Sequence, residues 1–357
     1  MKCTIQNIAD HLGLSRNTVS KALKNSSEVS ENTRNLVIKT ASKLGYKNAT
    51  FATPVIPASE TGSNGTILFL TRTYASDSEF WTTVLRGIES ILSNANYHLA
   101  ISIMSDSDLK QLNFPQTISD SSIKGIILVE ICDKVVCDAL SQFNLPIVSV
   151  DMPNVPFEEL NGIDVVTMES KKNLKKIINQ LIEKGAESFG FVGDLYSPNV
   201  SRGFQERYNA LSECLAEHQL PLNQKNCLLH QTPEDFRNFQ TTVNNLQAMI
   251  SLPDVFICGN DWTAIQLIYA LQFLGFQIPK DICVVGFDNI PAASRISPSL
   301  TTISTPQKYL GIAAARQILE RIQHPNCPHV FCQYETELII RNSTNITSVS
   351  YTHLTLP

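Results

Sequence analysis

The sequence predicts an α/β protein with a small three-helix head and a two-lobed body built from two doubly wound parallel sheets. Two patterns lead to this prediction. The stretch Thr4 to Tyr46 carries apolar side chains at helical spacing. From Thr66 onward, short apolar runs alternate with longer amphipathic segments, which is typical of parallel strands joined by helices. With 357 residues, 43% of them hydrophobic, the chain is long enough for a head and two compact lobes.

The head is predicted to contain three helices. The first covers about Gln6 to Leu12, and Gly13 after it suits a left-handed turn. A second helix over Ser15 to Leu23 starts with Ser15 as its N-cap. A third amphipathic helix follows the N-cap Ser30. Its apolar positions are Val37, Ala41, Leu44 and Tyr46.

The predicted second helix has a polar face that suits nucleic acid. Its apolar positions turn toward the head's interior, which leaves Arg16, Asn17, Ser20 and Lys21 pointing outward. Residues 1–48 hold eight Lys and Arg against three acids, a net +5, whereas the whole chain carries −5 and the remainder therefore −10. A basic head on an acidic body favours phosphate contact by one end only. The alternative is a solvated three-helix bundle that binds no nucleic acid.

Two helices joined by a short glycine turn form the helix-turn-helix unit, whose second helix enters the major groove of DNA. With the motifs TIQNIADHLGLS, RNTVSKAL, VSENTR and LGY, the head resembles that of the lactose-repressor (LacI/GalR) family of bacterial transcription factors. The resemblance implies that Arg16, Asn17 and Lys21 read bases. The other implied DNA contacts are Thr4, Ser15, Thr18, Ser20, Ser30 and Asn32.

Two departures from the family pattern concern the contact with DNA. Lys21 stands where an arginine is common, and lysine lacks the planar fork that grips guanine, so the operator preference is expected to differ. The linker 49–64 corresponds to the family's hinge helix, which inserts a leucine into the minor groove. Here Val55 replaces that leucine and Pro54 would break a helix. We therefore expect no conventional intercalating hinge.

The body is predicted to span 65–342 and, by resemblance, to have a periplasmic-binding-protein-like fold. The strand runs of the first set are TILFLT, HLAISIM, GIILVEI and PIVSVDM, and those of the second are IDVVTM, SFGFVGD, NCLLH, DVFICGN and ICVVGFD. The final segments, LTTIST, a helix and VFCQYETELIIR, are implied by the resemblance to cross between the lobes. We expect lobe one to cover about 65–163 and 294–322, and lobe two 164–293 and 323–342. Residues 343–357 lack periodicity and are predicted to be a disordered tail.

A small-molecule site is expected where the carboxyl ends of the strands face the cleft between the lobes. Acids, amides and a stacking aromatic after these strands suit the hydroxyls and apolar face of a sugar. The candidate ligand-binding residues are Phe80, Glu169, Arg207, Phe236, Asn260, Asp261 and Asp288. Arg207, Phe80 and Glu169 are chosen through the family resemblance, and Asp235 precedes Phe236 in the same segment.

Several of these candidates have structural alternatives. Phe80 and its neighbour Trp81 would also suit core packing at a helix start. Arg202 rivals Arg207 as the ligand-gripping arginine. Asn260 and Asp261 could cap a helix, and Asp288 could cap a loop. Thr305 is a further candidate, for which a plain loop role is an equal alternative.

The sequence argues against catalysis and against a metal or cofactor. It contains no G-x-S-x-G elbow, no phosphate-binding glycine loop and no H-E-x-x-H motif. Its nine cysteines form no C-x-x-C pair and suit a reduced compartment. No apolar run approaches the about 20 residues of a membrane span, and the N-terminus has no secretory signal, so a cytoplasmic protein is expected.

These observations together predict a ligand-responsive transcription regulator, most simply a repressor. A homodimer would place two heads on a roughly palindromic operator in double-stranded DNA, and a sugar effector in the cleft would set the operator affinity. One alternative is a two-lobed sugar-binding sensor with weakened specific DNA binding. A soluble periplasmic binding protein would share the body, but it would lack the head.

Overall fold

The computed structural model describes residues 4–23, 63–72, 78–195, 201–230 and 238–344, together with 29–30, 33–34, 36–37 and 40–41 of the head. The chain divides into two units, Met1–Gly62 and Ser63–Pro357. The altered hinge predicted within 49–64 lies outside the described residues, apart from residues 63 and 64 at its end. Leu44 and Tyr46 of the predicted third helix also lie outside them.

The head begins with two short helices, α1 (Ile5–Leu12) and α2 (Arg16–Leu23). Thr4 and Asn7 form a capping box, in which the Thr4 hydroxyl accepts from the Asn7 amide and the Asn7 side chain accepts from the Thr4 amide. Gly13 ends α1 with a φ of 64°, a left-handed conformation that glycine adopts without strain. Ser15 caps α2 by accepting from the Thr18 amide at 3.0 Å. The buried core is formed by Ile8, Ala9, Val19, Ala22, Val29, Val37 and Ala41.

The body contains twelve strands among its described residues. They are β1 (Thr66–Arg72), β2 (His98–Met104), β3 (Ile123–Val129), β4 (Ile147–Val150), β5 (Ile163–Met168), β6 (Phe189–Asp194), β7 (Leu228–His230), β8 (Val255–Cys258), β9 (Cys283–Asp288), β10 (Thr301–Ser304), β11 (Phe331–Tyr334) and β12 (Glu337–Ile339).

The described helices of the body lie between these strands. They are α3 (Glu79–Asn94), α4 (Asp106–Gln111), α5 (Lys134–Ser141), α6 (Lys172–Glu183), α7 (Arg202–Glu217), α8 (Phe239–Gln247), α9 (Asp261–Phe273) and α10 (Gln307–Gln323). The amphipathic segments predicted between the strand runs are thus helices among the described residues.

The strands form two six-stranded sheets, one in each lobe. The first has the order β11-β5-β4-β3-β1-β2 and is parallel throughout. The second has the order β12-β10-β9-β8-β6-β7, and its edge strand β12 runs antiparallel to β10. Continuous apolar runs such as IIL in β3 and VFIC in β8 are buried on both faces, as parallel strands between helix layers require.

The predicted lobe boundaries were wrong at three strands. β5 belongs to the first sheet although it was predicted in lobe two, β10 belongs to the second sheet, and β11 belongs to the first. The chain therefore passes between the sheets three times, close to residues 169–171, 305–306 and 335–336. The segment predicted as one run, VFCQYETELIIR, splits into β11 and β12 because the third crossing interrupts it.

Two glycines set the packing of the first lobe. α3 lies directly against α10, where a Cβ on Gly87 would lie 2.2 Å from the Lys308 carbonyl oxygen. A Cβ on Gly311 would lie 2.0 Å from the carbonyl oxygen of Val84. No side chain fits at either distance, so the two helices are held at backbone contact.

The predicted disordered tail was wrong at its first two residues. Ser343 and Thr344 are 0% and 1% exposed. The Ser343 hydroxyl donates to the Val284 carbonyl at 2.6 Å and accepts from the Thr301 amide at 2.8 Å. A polar sequence without periodicity predicts a disordered tail. Here, however, its hydroxyls form hydrogen bonds with backbone groups at the end of the second sheet. Residues 345–357 lie outside the described residues.

Candidate ligand site between the lobes and candidate nucleic-acid surface

The carboxyl ends of the parallel strands carry charged side chains in both lobes. In the first lobe these are Arg72 at the end of β1, Glu130 after β3 and Asp151 after β4. In the second lobe Asp194 ends β6 and Asp288 ends β9. The pKa values of Glu130, Asp151 and Asp288 are each shifted by a charge on the opposite lobe, so the two strand edges face a common space. This is the position that parallel sheets offer to a ligand.

Arg207 on α7 is the buried cation of this space, with a side chain only 3% exposed. Its Nη1 donates to the Gly259 carbonyl oxygen at 2.7 Å, and its Cζ lies 3.7 Å from the centre of the Phe287 ring. Burial lowers the pKa of Arg207, while the nearby carboxylates of Asp288 and Asp151 raise it. The aromatic face and the carbonyl hold the guanidinium in a fixed pose that suits bidentate binding of hydroxyls or carboxylates.

Asp288 and Asp151 approach Arg207 from opposite lobes. Burial raises the pKa of both carboxyls, and the charge of Arg207 opposes that rise. Both residues have a positive φ, 118° for Asp288 and 74° for Asp151, which turns the chain sharply at the strand ends. The Asp288 carbonyl accepts hydrogen bonds from Gln307 Nε2 at 2.6 Å and from the Thr305 hydroxyl at 3.2 Å, both next to the second crossing.

Glu130 contributes a third carboxylate from the first lobe. The Trp81 side chain donates a hydrogen bond to it, yet burial raises its pKa to about 7. Its Oε2 is buried and has no hydrogen-bond partner among the described residues. Arg72 opposes the rise by its charge, but its guanidinium also bonds Asp106 at 2.8 Å. Among the described residues, Glu130 therefore retains an unpaired acceptor at this edge of the first sheet.

At the start of α3, the two aromatic residues Phe80 and Trp81 have roles that differ from the prediction. Phe80 is 6% exposed, belongs to the apolar core and packs edge-on against Trp81 with ring centres 4.5 Å apart. The core-packing alternative thus describes Phe80. Trp81, although 8% exposed, is the ring that contacts a carboxylate of the cleft.

Two other predicted ligand residues have structural partners. Glu169 lies at the first crossing, where its Oε1 accepts from the amides of Lys171 and Lys172 at 2.7 and 2.8 Å and so caps α6. Asn260 is the N-cap of α9 and accepts from the Thr263 amide at 2.8 Å. Both residues can still present their remaining polar atoms. Phe236 and Asp235 lie outside the described residues.

Asp261 was predicted to bind the ligand, but its carboxylate points into the second lobe. The side chain is 0% exposed, and its two oxygens accept from the Thr302 hydroxyl at 2.5 Å and from the Ile290 amide at 2.9 Å. Burial raises its pKa to about 6. Because both oxygens are occupied, we assign Asp261 a positioning role: it joins the first turn of α9 to the loop that follows Asp288.

Arg202, the rival arginine, lies at the rim of the cleft. Its side chain pairs with Glu206 at 2.8 Å and stacks 5.2 Å from the Phe331 ring of the first lobe. Its backbone amide donates to the Met152 carbonyl at 2.9 Å, and Pro153 and Ser201 form an isolated β-bridge beside it. These bonds join the two lobes at one side of the space that contains Arg207.

The head places its predicted DNA-reading side chains on an exposed face. Arg16 and Asn17 are exposed in the first turn of α2, and Ser20 and Lys21 are partly exposed one turn later. The Ser15 and Thr18 hydroxyls lie 2.8 Å apart, and the Ser30 hydroxyl accepts from the Thr33 amide at 3.3 Å. Thr4 caps α1. Asn32 lies outside the described residues.

Two features are absent from the described part of the chain. No group of three or more His, Cys, Asp and Glu side chains within it is arranged to hold a metal ion. None of its helices is long and apolar enough to cross a membrane.

Comparison with known proteins agrees with both halves of this geometry. Residues 4–48 match the family described as bacterial regulatory proteins, lacI family, and residues 178–344 match the periplasmic binding protein-like domain. The chain belongs to the lacI family. Its head is therefore a DNA-binding domain, and this lacI-family protein is a ligand-responsive transcription regulator.

Curated relatives align over nearly the full chain. The HTH-type transcriptional repressor PurR of Photobacterium profundum is 26% identical over 345 residues, which cover 95% of this chain and 98% of the relative. The ribose operon repressor of Haemophilus influenzae is 27% identical over 344 residues, with the same two coverages.

Solved structures share the fold. The transcriptional regulator CelR in complex with cellobiose has a TM-score of 0.67 at 19% identity and covers 96% of this chain and 100% of its own. The lac repressor dimer bound to operator and an anti-inducer has a TM-score of 0.65 at 20% identity, covering 96% and 99%.

Four charged residues of this lacI-family cleft were missed in the sequence analysis, namely Arg72, Glu130, Asp151 and Asp194. The signal was present, since each ends or directly follows an apolar strand run, in TILFLTR, GIILVE, IVSVD and FGFVGD. The same rule selected Asp288. The rule holds in both lobes, for every strand whose carboxyl end faces the cleft.

Glu130 gives a test of the cleft's electrostatics. Its pKa in the folded protein, about 7, lies above its ordinary value of 4.5, so the folded state holds the proton more tightly. Stability is therefore lost as pH rises from about 4.5 to 7. We expect Glu130→Gln to be more stable than the parent at pH 8 by about 1–3 kcal/mol, with the difference vanishing near pH 4.5. Urea unfolding across this pH range measures it.

The matched control is Glu89→Gln, which changes an exposed glutamate of α3 and should leave the pH dependence as in the parent. A Glu130→Gln protein whose stability follows the parent's pH profile would show that the carboxyl is not desolvated.

Proposed function

We propose that this lacI-family protein represses transcription and that a sugar or sugar derivative, bound between its lobes, sets its affinity for an operator. The observation that carries the proposal is the buried Arg207, faced by carboxylates from both lobes. Aligned donors and acceptors of this kind match the vicinal hydroxyls of a sugar. Structural neighbours described as bound to cellobiose and ribose support the effector class. The proposal places the protein in the cytoplasm, as a regulator without an enzymatic activity.

The effector would act by bridging the lobes. Asp151 and Glu130 belong to the first lobe, whereas Arg207 and Asp288 belong to the second. A ligand that bonds residues of both lobes stabilises the closed pose of the lobes. It does so relative to any pose in which the residues of one lobe lie too far away to bond it. When the lobes move, the three crossings near residues 170, 305 and 335 must bend, and the contacts that Arg202 makes with Met152 and Phe331 of the first lobe must open. If one pose alone allows both heads of a dimer to dock, ligand binding changes operator affinity.

A homodimer is part of the proposal because α9 has an apolar face that the described chain leaves uncovered. Tyr269 and Phe273 on this helix are 44% and 69% exposed, and the opposite face is buried in the second lobe. Phe239 of α8 extends the patch, with its ring 5.8 Å from that of Phe273. Exposed aromatic patches of this kind are typical of protein interfaces.

Base reading by α2 is the first prediction. Arg16→Ala and Asn17→Ala should each reduce sequence-specific DNA binding by roughly tenfold to a hundredfold, since a good base contact contributes about 1–3 kcal/mol of discrimination. Electrophoretic mobility shift with the DNA upstream of its own gene, with nonspecific competitor present, measures the loss. Arg295→Ala removes an exposed arginine of the body and should bind as the parent does. Full specific affinity in both head variants would contradict the assignment.

Effector binding is the second prediction. Among a panel of sugars, at least one should raise the melting temperature of the parent and change its mobility-shift affinity. Asp288→Asn should lower the affinity for that sugar by tenfold or more, because a hydrogen bond to a charged group contributes about 1.5–3 kcal/mol. The bonds that Thr305 and Gln307 make to the Asp288 carbonyl remain in this variant.

The control for the effector experiment is Asp138→Asn, which changes a half-exposed acid paired with Lys134 on α5. Its sugar response should equal that of the parent. A panel in which every sugar leaves the melting temperature unchanged while purines raise it would rule out a sugar effector.

Dimerisation through α9 is the third prediction. Phe273→Glu places a charge in the aromatic patch and should shift the protein from dimer to monomer in sedimentation velocity, with a parallel loss of operator affinity. Val135→Glu, at a residue of α5 that is 63% exposed, provides a control with the same substitution at another apolar surface position. A Phe273→Glu protein that remains dimeric at micromolar concentration would show that the interface lies elsewhere.

A further inference from the structure

Among the described residues at the strand ends of the cleft, carboxyls outnumber guanidiniums. Glu130, Asp151, Asp194 and Asp288 supply four carboxyls at the strand ends, and Arg207 is the buried guanidinium among them. Arg72 adds a second guanidinium, but it pairs with Asp106 outside the cluster at 2.8 Å. These carboxyls repel one another: the charges of Asp194 and Asp151 raise the pKa of Glu130, and those of Glu130 and Asp151 raise the pKa of Asp288. Among the described residues, the three carboxyls of Glu130, Asp151 and Asp288 therefore exceed the one guanidinium of Arg207 by two negative charges when all are ionised, since Arg72 is paired with Asp106.

Several polar atoms in the same space have no hydrogen-bond partner among the described residues. They include Arg207 Nε and Ser170 Oγ, on side chains that are 3% and 2% exposed. The two side chains converge at Gly203, where a Cβ would lie 3.4 Å from Arg207 Nη2 and 3.5 Å from Ser170 Oγ. Glu130 Oε2 is a third such atom. Buried polar atoms are rarely left unpaired, so these atoms indicate a ligand with donors and acceptors.

We propose that the effector carries a protonated amine in addition to its hydroxyls, which makes it an amino sugar or a related amino polyol. This inference rests on the proposed function and specifies its ligand. Glu130 and Asp151 of the first lobe would hold the ammonium group, while Arg207 and Asp288 of the second lobe would hold hydroxyls. An ammonium supplies three hydrogen-bond donors and one positive charge. One donor can bond the unpaired oxygen of Glu130, and the charge reduces the excess of negative charge.

The other two classes of sugar fit the cleft less well. A neutral sugar could bond the same acceptors, but it would leave the carboxyls to repel one another in a desolvated space. A sugar phosphate or a uronate would add a further negative charge to a group in which carboxyls already outnumber the two buried guanidiniums, Arg207 and Arg72. Electrostatic complementarity therefore orders the three classes as amine first, neutral second and anion last.

The test uses pairs of probes that differ only in the amine. Tris(hydroxymethyl)aminomethane and pentaerythritol form one pair, because a hydroxymethyl group replaces the ammonium on the same branched polyol. Glucosamine and N-acetylglucosamine form a second pair, and glucose 6-phosphate serves as the anionic probe. Melting temperatures of the full chain are measured in an amine-free phosphate buffer and repeated in cacodylate at pH 7.5, with each probe at roughly 20 mM. A ligand that binds only the folded state raises the melting temperature in proportion to its saturation.

The expected result is a rise of about 2 °C or more for the amine member of at least one pair, and less than half that rise for its neutral partner. Glu130→Gln should lose this difference, while Asp138→Asn, which removes a half-exposed acid of the same lobe, should keep it. The glutamine has nearly the same shape and relieves the desolvated charge, so the folded protein is available for the measurement.

Three outcomes would overturn the proposal: no rise with either amine, an equal or larger rise with the neutral member of both pairs, or a rise with glucose 6-phosphate that exceeds the rise with glucosamine. The failure is distinguishable from failure of the proposed function. If neutral sugars raise the melting temperature and the rise depends on Asp288, the regulator remains sugar-responsive and only the amine is refuted.

Discussion

The buried guanidinium of Arg207 is the charge on which the cleft depends. Carboxyls placed at the ends of parallel strands would repel one another in a desolvated space, and a fixed cation among them reduces that repulsion. The guanidinium stays in place because the Phe287 ring lies 3.7 Å below it and the Gly259 carbonyl accepts from Nη1 at 2.7 Å. Both contacts come from the second lobe. The first lobe brings Asp151 and Glu130 to this cation, so the electrostatic balance of the site depends on the relative pose of the lobes.

Much of the architecture could be predicted from hydrophobic periodicity. Runs such as GIILVEI and DVFICGN are buried strands, and the amphipathic segments predicted between the strand runs are helices. The lobe that each strand joins could not be predicted in the same way. Strands on either side of a crossing have the same apolar pattern. No feature of the sequence IDVVTM indicates that this strand belongs to the first sheet rather than the second. Local pattern encodes the element, whereas long-range packing selects its partner.

The site was predictable to a similar degree. Asp288 and Arg207 face the cleft as the sequence and the family resemblance suggested, and the missed Glu130 and Asp151 obey the same rule of position after a strand. Asp261 shows where that rule ends. Like Asp288 at the end of β9, Asp261 lies close to the carboxyl end of a strand, in this case β8. Asp261, however, is the first residue of a helix, and the first turn of that helix directs its carboxyl toward Thr302 and Ile290. Whether a polar side chain after a strand faces the ligand depends on the turn that follows, which its residue type does not reveal.

The position of Asp261 also constrains how the second lobe responds to a ligand. Its carboxylate joins α9 to the Ile290 amide, two residues beyond Asp288, and the Asn289 side chain is held by Arg341 at 2.6 Å. Asp288 and the helix with the exposed aromatic face are thus linked by hydrogen bonds within the second lobe. In the first lobe, Gly87 and Gly311 hold α3 and α10 at backbone contact. Movement between the lobes must therefore bend the crossings near residues 170, 305 and 335, beside which the Asp288 carbonyl is bonded to Thr305 and Gln307. It must also open the contacts of Arg202 with Met152 and Phe331. Hinge motion of rigid lobes, rather than rearrangement inside either one, is the response that this packing permits.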